Sequence, residues 1–271
     1  MPTAGQLALL IASIAVFVLG GVISLSRLRD DRGPRRLAAK VCLYFGTVLG
    51  IGLLAWHGAT RPNWAPLDDN FDALVWLAIL LSLFVAYTQR AHPLRGLDFF
   101  VMPIVVLLLM LAAVFGRTKP HSYAETPWML VHRISAYGGF AAFAVAAAVG
   151  TMYLIANTRL RQKRAMPGGG FGSLERLENL SFTAVTLGFA LLTIGLVTGL
   201  VRAIDSHGNN LLGPDWYRKP KVLLAFGAWI VYALVLHSPI NPSFRGRRAA
   251  MLSVLGFFLM IGTLVAVQYV G

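Results

Sequence analysis

Long apolar segments alternate with short polar ones along almost the whole chain. Eight of these segments are apolar over roughly the 20 residues that a helix needs to cross a bilayer, and charged residues, Pro and Gly fill the intervals. The predicted fold is therefore all-α, a polytopic integral membrane protein with a single transmembrane domain over residues 1–271. The predicted spans cover roughly residues 4–26, 38–57, 71–88, 97–116, 128–156, 178–203, 220–237 and 248–270.

Composition supports the membrane assignment. Of the 271 residues, 57% are hydrophobic and 13% charged, whereas soluble domains have about half apolar and about 25% charged residues. The lipid bilayer is therefore an expected partner. The single cysteine, Cys42, excludes an intramolecular disulfide and a cysteine zinc cluster.

The basic residues predict an orientation. The net charge is +13, but the Lys and Arg residues lie in short loops and form no separate basic domain. We therefore expect no nucleic acid partner. About two thirds of the 24 basic residues fall in alternate loops, such as 27–36 and 161–173. Because cytoplasmic loops are enriched in Lys and Arg, both termini are predicted to lie outside.

The histidines are the best candidates for chemistry, because almost no acid lies within the predicted spans and ionisable groups in spans usually have a function. His92 and His121 lie in loops, where solvation explains them. His57, His132 and His237 lie in or at the ends of spans. The alternative for each is an ordinary role, anchoring at the interface or hydrogen bonding within the bundle.

Three histidines at the ends of spans raise the possibility of axial haem ligation. No span contains two histidines, which argues against a dihaem cytochrome b arrangement. With a rise of 1.5 Å per residue, His57 and His132 lie near the outer face, and His237 lies about 25 Å deeper. Helix arithmetic therefore favours His57 with His132 as a pair, and it makes His237 a distinct inner-side site.

The start of the seventh span combines aromatic and basic residues: Trp216, Arg218, Lys219 and Lys221. A helix N-terminus already carries partial positive charge, so cations there are unfavourable unless an anion is bound. The carboxylates of haem propionates or the phosphates of lipids would be suitable anions. The tryptophans predicted at this face also fit an ordinary interfacial belt. They are Trp56, Trp64, Trp128 and Trp216.

Four stretches resemble the cytochrome c assembly family of membrane proteins, which includes CcsA, CcmC and the HemX/YpjD-like branch. The likeness covers about the last 150 residues well, and a fainter likeness covers residues 61–78. The stretches are ETPWMLVHRISAYGGFAAF at 125–143, LERLENLSFTAVTLGFALLTIGLVTGLVRA at 174–203, DWYRKPKVLLAFGAWIVYALVLH at 215–237 and FRGRRAAMLSVLGFF at 244–258.

Members of this family bind haem in the membrane and present it outside for attachment to apocytochrome c. The resemblance therefore implies haem as cofactor, other cytochrome c biogenesis proteins as partners, and the bacterial inner membrane as location. His132 matches the family's first external histidine, and His237 matches the histidine at the inner end of a span. Trp216 and Lys221 match positions of the tryptophan-rich external loop and the helix start that follows it.

The chain departs from the family pattern in two places. Arg218 and Lys219 replace a tryptophan and an aspartate of that loop. The second external histidine is expected after the final span, where this sequence ends in QYVG. His207 lies in the matching compartment, and His57 resembles a histidine on an early span of some relatives. These departures favour the HemX/YpjD-like branch.

The leading hypothesis is a haem-binding, haem-handling membrane protein of cytochrome c biogenesis that is not itself an enzyme. The alternative is a membrane scaffold or regulator of the same fold that has lost haem handling. A transporter is less well supported, because inverted repeats with broken helices are absent from the sequence pattern. An intramembrane hydrolase is also poorly supported, because no Ser–His pair is backed by an orienting acid.

Overall fold

A computed structural model describes residues 3–29, 33–61, 67, 69–91, 94, 96–115, 127–164, 171–204, 216–238, 241 and 245–270. At residues 28–29, 91, 115, 127, 202–204, 216 and 268–270 it describes the backbone only. The sequence candidates Trp64, His92, His121 and His207 lie outside the described residues.

The described chain forms eight α-helices and one short 3₁₀ turn, Trp216–Arg218, which confirms the predicted all-α class. Helix boundaries agree with the predicted spans within about five residues. α2 begins earlier than predicted because Arg35 and Arg36 continue it beyond the apolar stretch, as basic residues at membrane interfaces commonly do. The helices are α1 Ala4–Arg29, α2 Gly33–Ala59, α3 Asn70–Ala91, α4 Leu97–Phe115, α5 Pro127–Arg161, α6 Leu174–Ile204, α7 Pro220–Leu236 and α8 Arg247–Val270.

Seven of these helices are long and apolar enough to cross a membrane, and α7 is shorter, with 17 residues. A span needs about 17–25 residues, so α7 is at the lower end of that range. The protein is thus a multi-pass membrane protein. The orientation with both termini outside stays a prediction.

The chain divides into two compact units. The first comprises Met1–Ser122 and Ile155–Ser173, and the second comprises Tyr123–Leu154 and Leu174–Gly271. The prediction of a single transmembrane domain is not tested by this division and stays a prediction.

In the first unit, α1 packs against α2 and α4, and α3 packs against the same two helices. Small hydroxyl side chains join these helices in the buried interior. Ser13 Oγ donates to the carbonyl of Gly46 at 3.2 Å, and Thr47 Oγ1 donates to Ser82 Oγ at 2.9 Å. Hydrogen bonds of this kind, together with close packing, hold helices together where lipid removes the hydrophobic drive.

A buried ion pair joins α1 to α4 in the same unit. Arg27 Nη1 lies 2.7 Å from Asp98 Oδ2, and Ser24 Oγ donates to that oxygen at 2.8 Å. Asp98 is 5% exposed. Asp98, an acid in the first turn of an apolar helix, is thus buried and paired.

In the second unit, aromatic side chains fix α7 between its neighbours. The rings of Phe143 on α5 and Tyr232 on α7 stack with centroids 3.5 Å apart, and the Tyr232 hydroxyl donates to the Ser253 carbonyl of α8 at 3.3 Å. Trp229 Nε1 donates to Thr193 Oγ1 of α6 at 3.0 Å. Trp229 and Tyr232 are thus packing residues.

Candidate functional site

His132 lies in the second turn of α5, and its imidazole contacts α6. Its Nδ1 lies 2.8 Å from the carbonyl oxygen of Gly195. A carbonyl only accepts hydrogen bonds, so Nδ1 carries the proton and Nε2 is the bare nitrogen. Thr198 Oγ1 is a more distant neighbour, 3.4 Å from Nδ1, and it donates to the carbonyl of Ile194 at 2.7 Å.

Glycines on α6 make room for this imidazole. A Cβ placed on Gly199 would lie 3.1 Å from His132 Cε1 and 3.4 Å from its Nδ1, tighter than most contacts of real side chains. A Cβ on Gly195 would lie 3.3 Å from Ser135 Oγ, one turn further along α5. The small residues let the two backbones approach, and they fix the position of the ring.

Basic residues surround His132. The positive charges of Arg133 and Lys221 are near enough to act on the imidazole. Lys221 is half-buried in the first turn of α7, a helix that begins at Pro220 and has no acid in that turn. Arg218 is exposed and holds its guanidinium 5.6 Å from the centroid of the Tyr217 ring. Of Trp216, the structure describes only the backbone, in the 3₁₀ turn.

His237 caps the C-terminus of α7 and is exposed. Its Nδ1 donates to the carbonyl of Ala233 at 2.8 Å, which again leaves Nε2 bare. The Trp229–Thr193 hydrogen bond sets the register of α7 against α6. From that register, His237 lies about ten residues, or about 15 Å along the helix, below the level of His132. The two imidazoles thus lie at different levels, about 15 Å apart rather than about 25 Å, and their assignment as distinct sites stays a prediction.

His57 lies in the last turn of α2, in the first unit, and it is buried with 2% exposure. Its Nδ1 lies 2.7 Å from Oδ1 of Asp72 in the first turn of α3. The Phe71 ring meets the imidazole edge-on, with centroids 5.0 Å apart. Thr60 Oγ1 donates to the His57 carbonyl and accepts from the buried side-chain amide of Gln6 on α1.

A second carboxylate supports this arrangement. Asp69 accepts the backbone N–H of Asp72 at 2.7 Å on Oδ1, and it accepts Nη1 of Arg61 at 2.5 Å on Oδ2. Asp69 therefore caps α3, because it satisfies one of the unpaired amides at the helix start. Burial raises the pKa of Asp69, and the bonds from the Asp72 amide and Arg61 oppose that rise.

His57, Asp69 and Asp72 bring possible metal-ligand atoms within 4.8 Å of one another. Both oxygens of Asp69 and one of Asp72 already accept hydrogen bonds within the cluster. The carboxylates therefore already bond to the helix cap and to His57. Within the described residues, Nε2 of His57 is a ring nitrogen for which no partner is seen.

Neither Asp69 nor Asp72 was among the residues predicted from the sequence. The signal was present in LDDNFDALVW, where an aspartate three residues before another aspartate precedes an apolar run. An Asp just before an apolar run, with a second acid in the first turn, is typical of a helix N-terminus. Because Asp72 and His57 are 15 residues apart across a turn, only the packing of α2 on α3 shows that they meet.

The donor set fits an iron ligand. In the part of the chain that the structure describes, all three histidines use Nδ1 as donor, and no hydrogen-bond partner of Nε2 is seen. Imidazole ligands in metal sites are usually held in this way, through the ring nitrogen that does not bind the metal. The predicted pairing of His57 with His132 stays a prediction, because the two belong to different units. The exposed Trp56 and Trp128 fit the interfacial-belt interpretation.

Comparisons with known proteins identify the family of this chain. The family model described as Cytochrome C assembly protein matches residues 64–270. Three similar relatives each carry the name cytochrome c biogenesis protein CcsA. The protein of Prochlorococcus marinus is 25% identical over 236 residues, 76% of this chain and 73% of its own. That of Mesostigma viride is 23% identical, covering 76% and 75%. That of Guillardia theta is 25% identical, covering 76% and 74%. The chain belongs to the cytochrome c assembly protein family.

Proposed function

We propose that this protein binds haem in the membrane and handles it for the biogenesis of c-type cytochromes. Family membership and the CcsA relatives support this role. We further propose that it resides in the bacterial inner membrane and acts with other cytochrome c biogenesis proteins. In this proposal it is not an enzyme by itself: it holds and presents the cofactor, and attachment chemistry belongs to the assembled system.

The observation that carries the proposal is the way His132 is held. Its Nδ1–H donates to the Gly195 carbonyl, which fixes the tautomer and the ring plane and leaves Nε2 free. Haem would supply an iron to which an imidazole nitrogen can bind. His132 is the residue that we propose for that bond in the second unit.

The charges around His132 suit the rest of such a cofactor. Haem carries two propionates, and anions bind well near helix N-termini and basic side chains. Lys221 and Arg133 supply positive charge near the imidazole, and Arg218 adds an exposed guanidinium just before α7. We assign Lys221 and Arg218 to propionate binding, with Trp216 beside them in the chain.

His57 and His237 are further candidate ligands. His237 lies about 15 Å along α7 from the level of His132, so we propose it as a separate inner-side ligand. His57 occupies the first unit with its own partners. Each of the two has its proton on Nδ1, as His132 does.

The test is complementation in a host whose own copy of the gene is deleted. The wild-type gene should restore covalently bound haem in membrane c-type cytochromes, measured by haem-dependent peroxidase staining. His132→Ala should fail to do so, while the protein still accumulates in the membrane. Thr151→Ala is the matched control and should complement fully, because within the described residues this α5 hydroxyl bonds only to the Ala147 carbonyl of its own helix.

One observation favours the second candidate, a scaffold that has lost haem handling. Arg218 and Lys219 replace a tryptophan and an aspartate expected in the family's external loop, and Arg218 is exposed. A scaffold predicts that single substitutions of His132, His57 and His237 all complement. Full complementation by His132→Ala would therefore replace the leading proposal with this one.

A further inference from the structure

The second unit contains a cavity of about 300 Å³ at the end opposite to His132, a volume within the range of ligand pockets. Tyr153 in its wall follows His132 by 21 residues on α5, or about 31 Å along the helix. Because the hydrocarbon core of a bilayer is about 30 Å thick, His132 and the cavity lie near opposite faces of the membrane. The cavity is therefore at the level of lipid headgroups. All four helices of the unit line it, with Tyr153 from α5, Glu178 from α6, Val235 from α7 and Ala250 from α8.

Close backbone contacts fix the walls of this cavity. A Cβ on Gly150 of α5 would lie 3.2 Å from the carbonyl oxygen of Ala250 on α8. Gly246, just before α8, has a φ of +63°, which glycine adopts without strain. A Cβ at that position would lie 2.7 Å from the Tyr153 hydroxyl, a distance that real side chains essentially never show. The cavity is thus formed by tightly packed elements and needs no rearrangement to accept a ligand.

Negative groups line one side of the cavity. Glu175 and Glu178 come from the first two turns of α6. The Glu178 carboxylate accepts the backbone N–H of Gly246 at 3.3 Å. Val235 and Ser238 bring the C-terminal end of α7 to the same cavity, and a helix C-terminus has partial negative charge. This side of the lining favours a cation.

Two buried serines indicate that the ligand is polar. Ser238 lines the cavity and is 6% exposed, and within the described residues no hydrogen-bond partner of its hydroxyl is seen. Ser181 also lines it and donates to the Ala146 carbonyl at 3.5 Å, which is long for a hydroxyl donor. Because buried polar groups normally have a partner, the Ser238 hydroxyl points to a ligand with a hydrogen-bonding group.

A positive charge lies at the rim. Arg245 lines the cavity, and its Nε is 4.0 Å from Oε1 of Glu178, longer than a hydrogen bond. Its side chain is 62% exposed, so it is accessible to a ligand. Arginine suits phosphate groups. A ligand with both an ammonium and a phosphate would match the two charges, and Leu177 and Phe182 in the same lining offer apolar contact.

We propose that this cavity binds the headgroup of phosphatidylethanolamine. The ammonium group lies between Glu175 and Glu178 and donates a hydrogen bond to the Ser238 hydroxyl. The phosphate meets Arg245 at the rim, and the acyl chains continue into the bilayer. This site is independent of the proposed haem function.

The wild-type protein provides the first test. Native mass spectrometry of the purified full-length protein compares dioleoyl phosphatidylethanolamine with the phosphatidylcholine and phosphatidylglycerol of the same chains. Phosphatidylethanolamine should bind about 10-fold more tightly than either, because the quaternary ammonium of phosphatidylcholine has no N–H donor and phosphatidylglycerol has no cation. Equal binding of the three lipids would overturn the proposal.

Glycerophosphoethanolamine separates a lipid from a soluble ligand, because it has the same headgroup without acyl chains. It should displace the bound lipid only at far higher concentration. Displacement at a concentration similar to that of the lipid would assign the cavity to a soluble amine and would overturn the lipid assignment.

Glu178→Gln tests the ammonium position. The amide keeps an oxygen that can accept the Gly246 N–H, but it removes the charge. Affinity for phosphatidylethanolamine should fall by about 10-fold, while that for phosphatidylglycerol stays unchanged. Thr183→Ala is the control, because within the described chain this exposed α6 hydroxyl bonds only to the Asn179 carbonyl. Wild-type affinity in Glu178→Gln, or the same loss in Thr183→Ala, would contradict the proposal.

Arg245→Gln tests the phosphate position and should weaken all three lipids, since each has a phosphate. Its matched control is Arg247→Gln, an exposed neighbour that does not line the cavity, and its lipid affinities should equal those of the wild type. Equal losses in the two variants would mean that surface charge alone attracts lipid, which would refute the role of Arg245. Thermal unfolding without added lipid checks that each variant is folded, and the wild-type comparison of lipids decides the proposal if one is not.

Discussion

The close approach of Gly199 to His132 allows haem binding to be perturbed without changing any polar group. Alanine at position 199 places a Cβ 3.1 Å from His132 Cε1 and 3.4 Å from Nδ1. The ring must then move by a few tenths of an ångström, which lengthens the 2.8 Å bond from Nδ1 to the Gly195 carbonyl. Such a bond contributes about 0.5–1.5 kcal/mol. A loss of about 1 kcal/mol corresponds to about a 5-fold weaker affinity.

The free energy of unfolding of this variant should fall by about 0–2 kcal/mol. Overpacking costs about 1–3 kcal/mol, but replacing Gly by Ala within a helix gains about 1 kcal/mol. Gly227→Ala, on α7 of the same unit, is the matched control, because its Cβ would meet nothing nearer than 3.9 Å. It should gain the helix stabilisation and keep the wild-type haem affinity.

The assay is a spectrophotometric haem titration of each purified variant, alongside thermal unfolding of the haem-free protein. We expect Gly199→Ala to bind haem about 5-fold more weakly than wild type and Gly227→Ala to match wild type. Equal affinity for all three proteins would refute the claim that the position of the His132 ring matters. An equal loss in both variants would show that any added methyl disturbs the bundle.

Three further predictions concern stability and are checked by thermal or denaturant unfolding in detergent. Asp98→Asn removes the carboxylate that accepts bonds from Arg27 and Ser24, so it should lower the free energy of unfolding by about 3 kcal/mol; a loss below about 0.5 kcal/mol would contradict the buried pair. Trp76→Phe removes a buried N–H that lacks a partner within the described chain and should be neutral or stabilising by about 1 kcal/mol; a marked loss of stability would show that this N–H is bonded. Tyr232→Phe keeps the stack on Phe143 and should lower the free energy of unfolding by about 1 kcal/mol. Tyr232→Ala should lower it by about 3–5 kcal/mol. Equal losses would mean that the hydroxyl, not the ring, stabilises the helix packing.

The helices could be predicted from the sequence because a bilayer imposes a simple rule: every span is a run of about 20 apolar residues. Seven of the eight described helices follow that rule, and α7, with 17 residues, lies at the lower end of the range. His132 and His237 could be identified as candidates because a histidine within an apolar run is conspicuous. The groups that hold these histidines could not be predicted from the sequence. Gly195 contacts His132 through its backbone carbonyl, which every residue has.

The contact between Asp72 and His57 could not be predicted from the sequence for a different reason. A single acid in the first turn of an apolar helix resembles an ordinary interfacial charge. The mean hydropathy over a window of about 20 residues hides it. Its role depends on the angle at which α2 packs on α3, which brings its carboxylate to His57. Packing angles follow from many small contacts along both helices and have no short sequence signature. The Asp69–Arg61 pair that supports it depends on the same geometry.

The most direct test of the account is the absorption spectrum of the full-length protein purified from cells with ample haem. The account predicts a Soret band in the wild type that is lost or shifted in His132→Ala and retained in Thr151→Ala. A colourless wild-type protein, or a Soret band that is identical in His132→Ala, would contradict it.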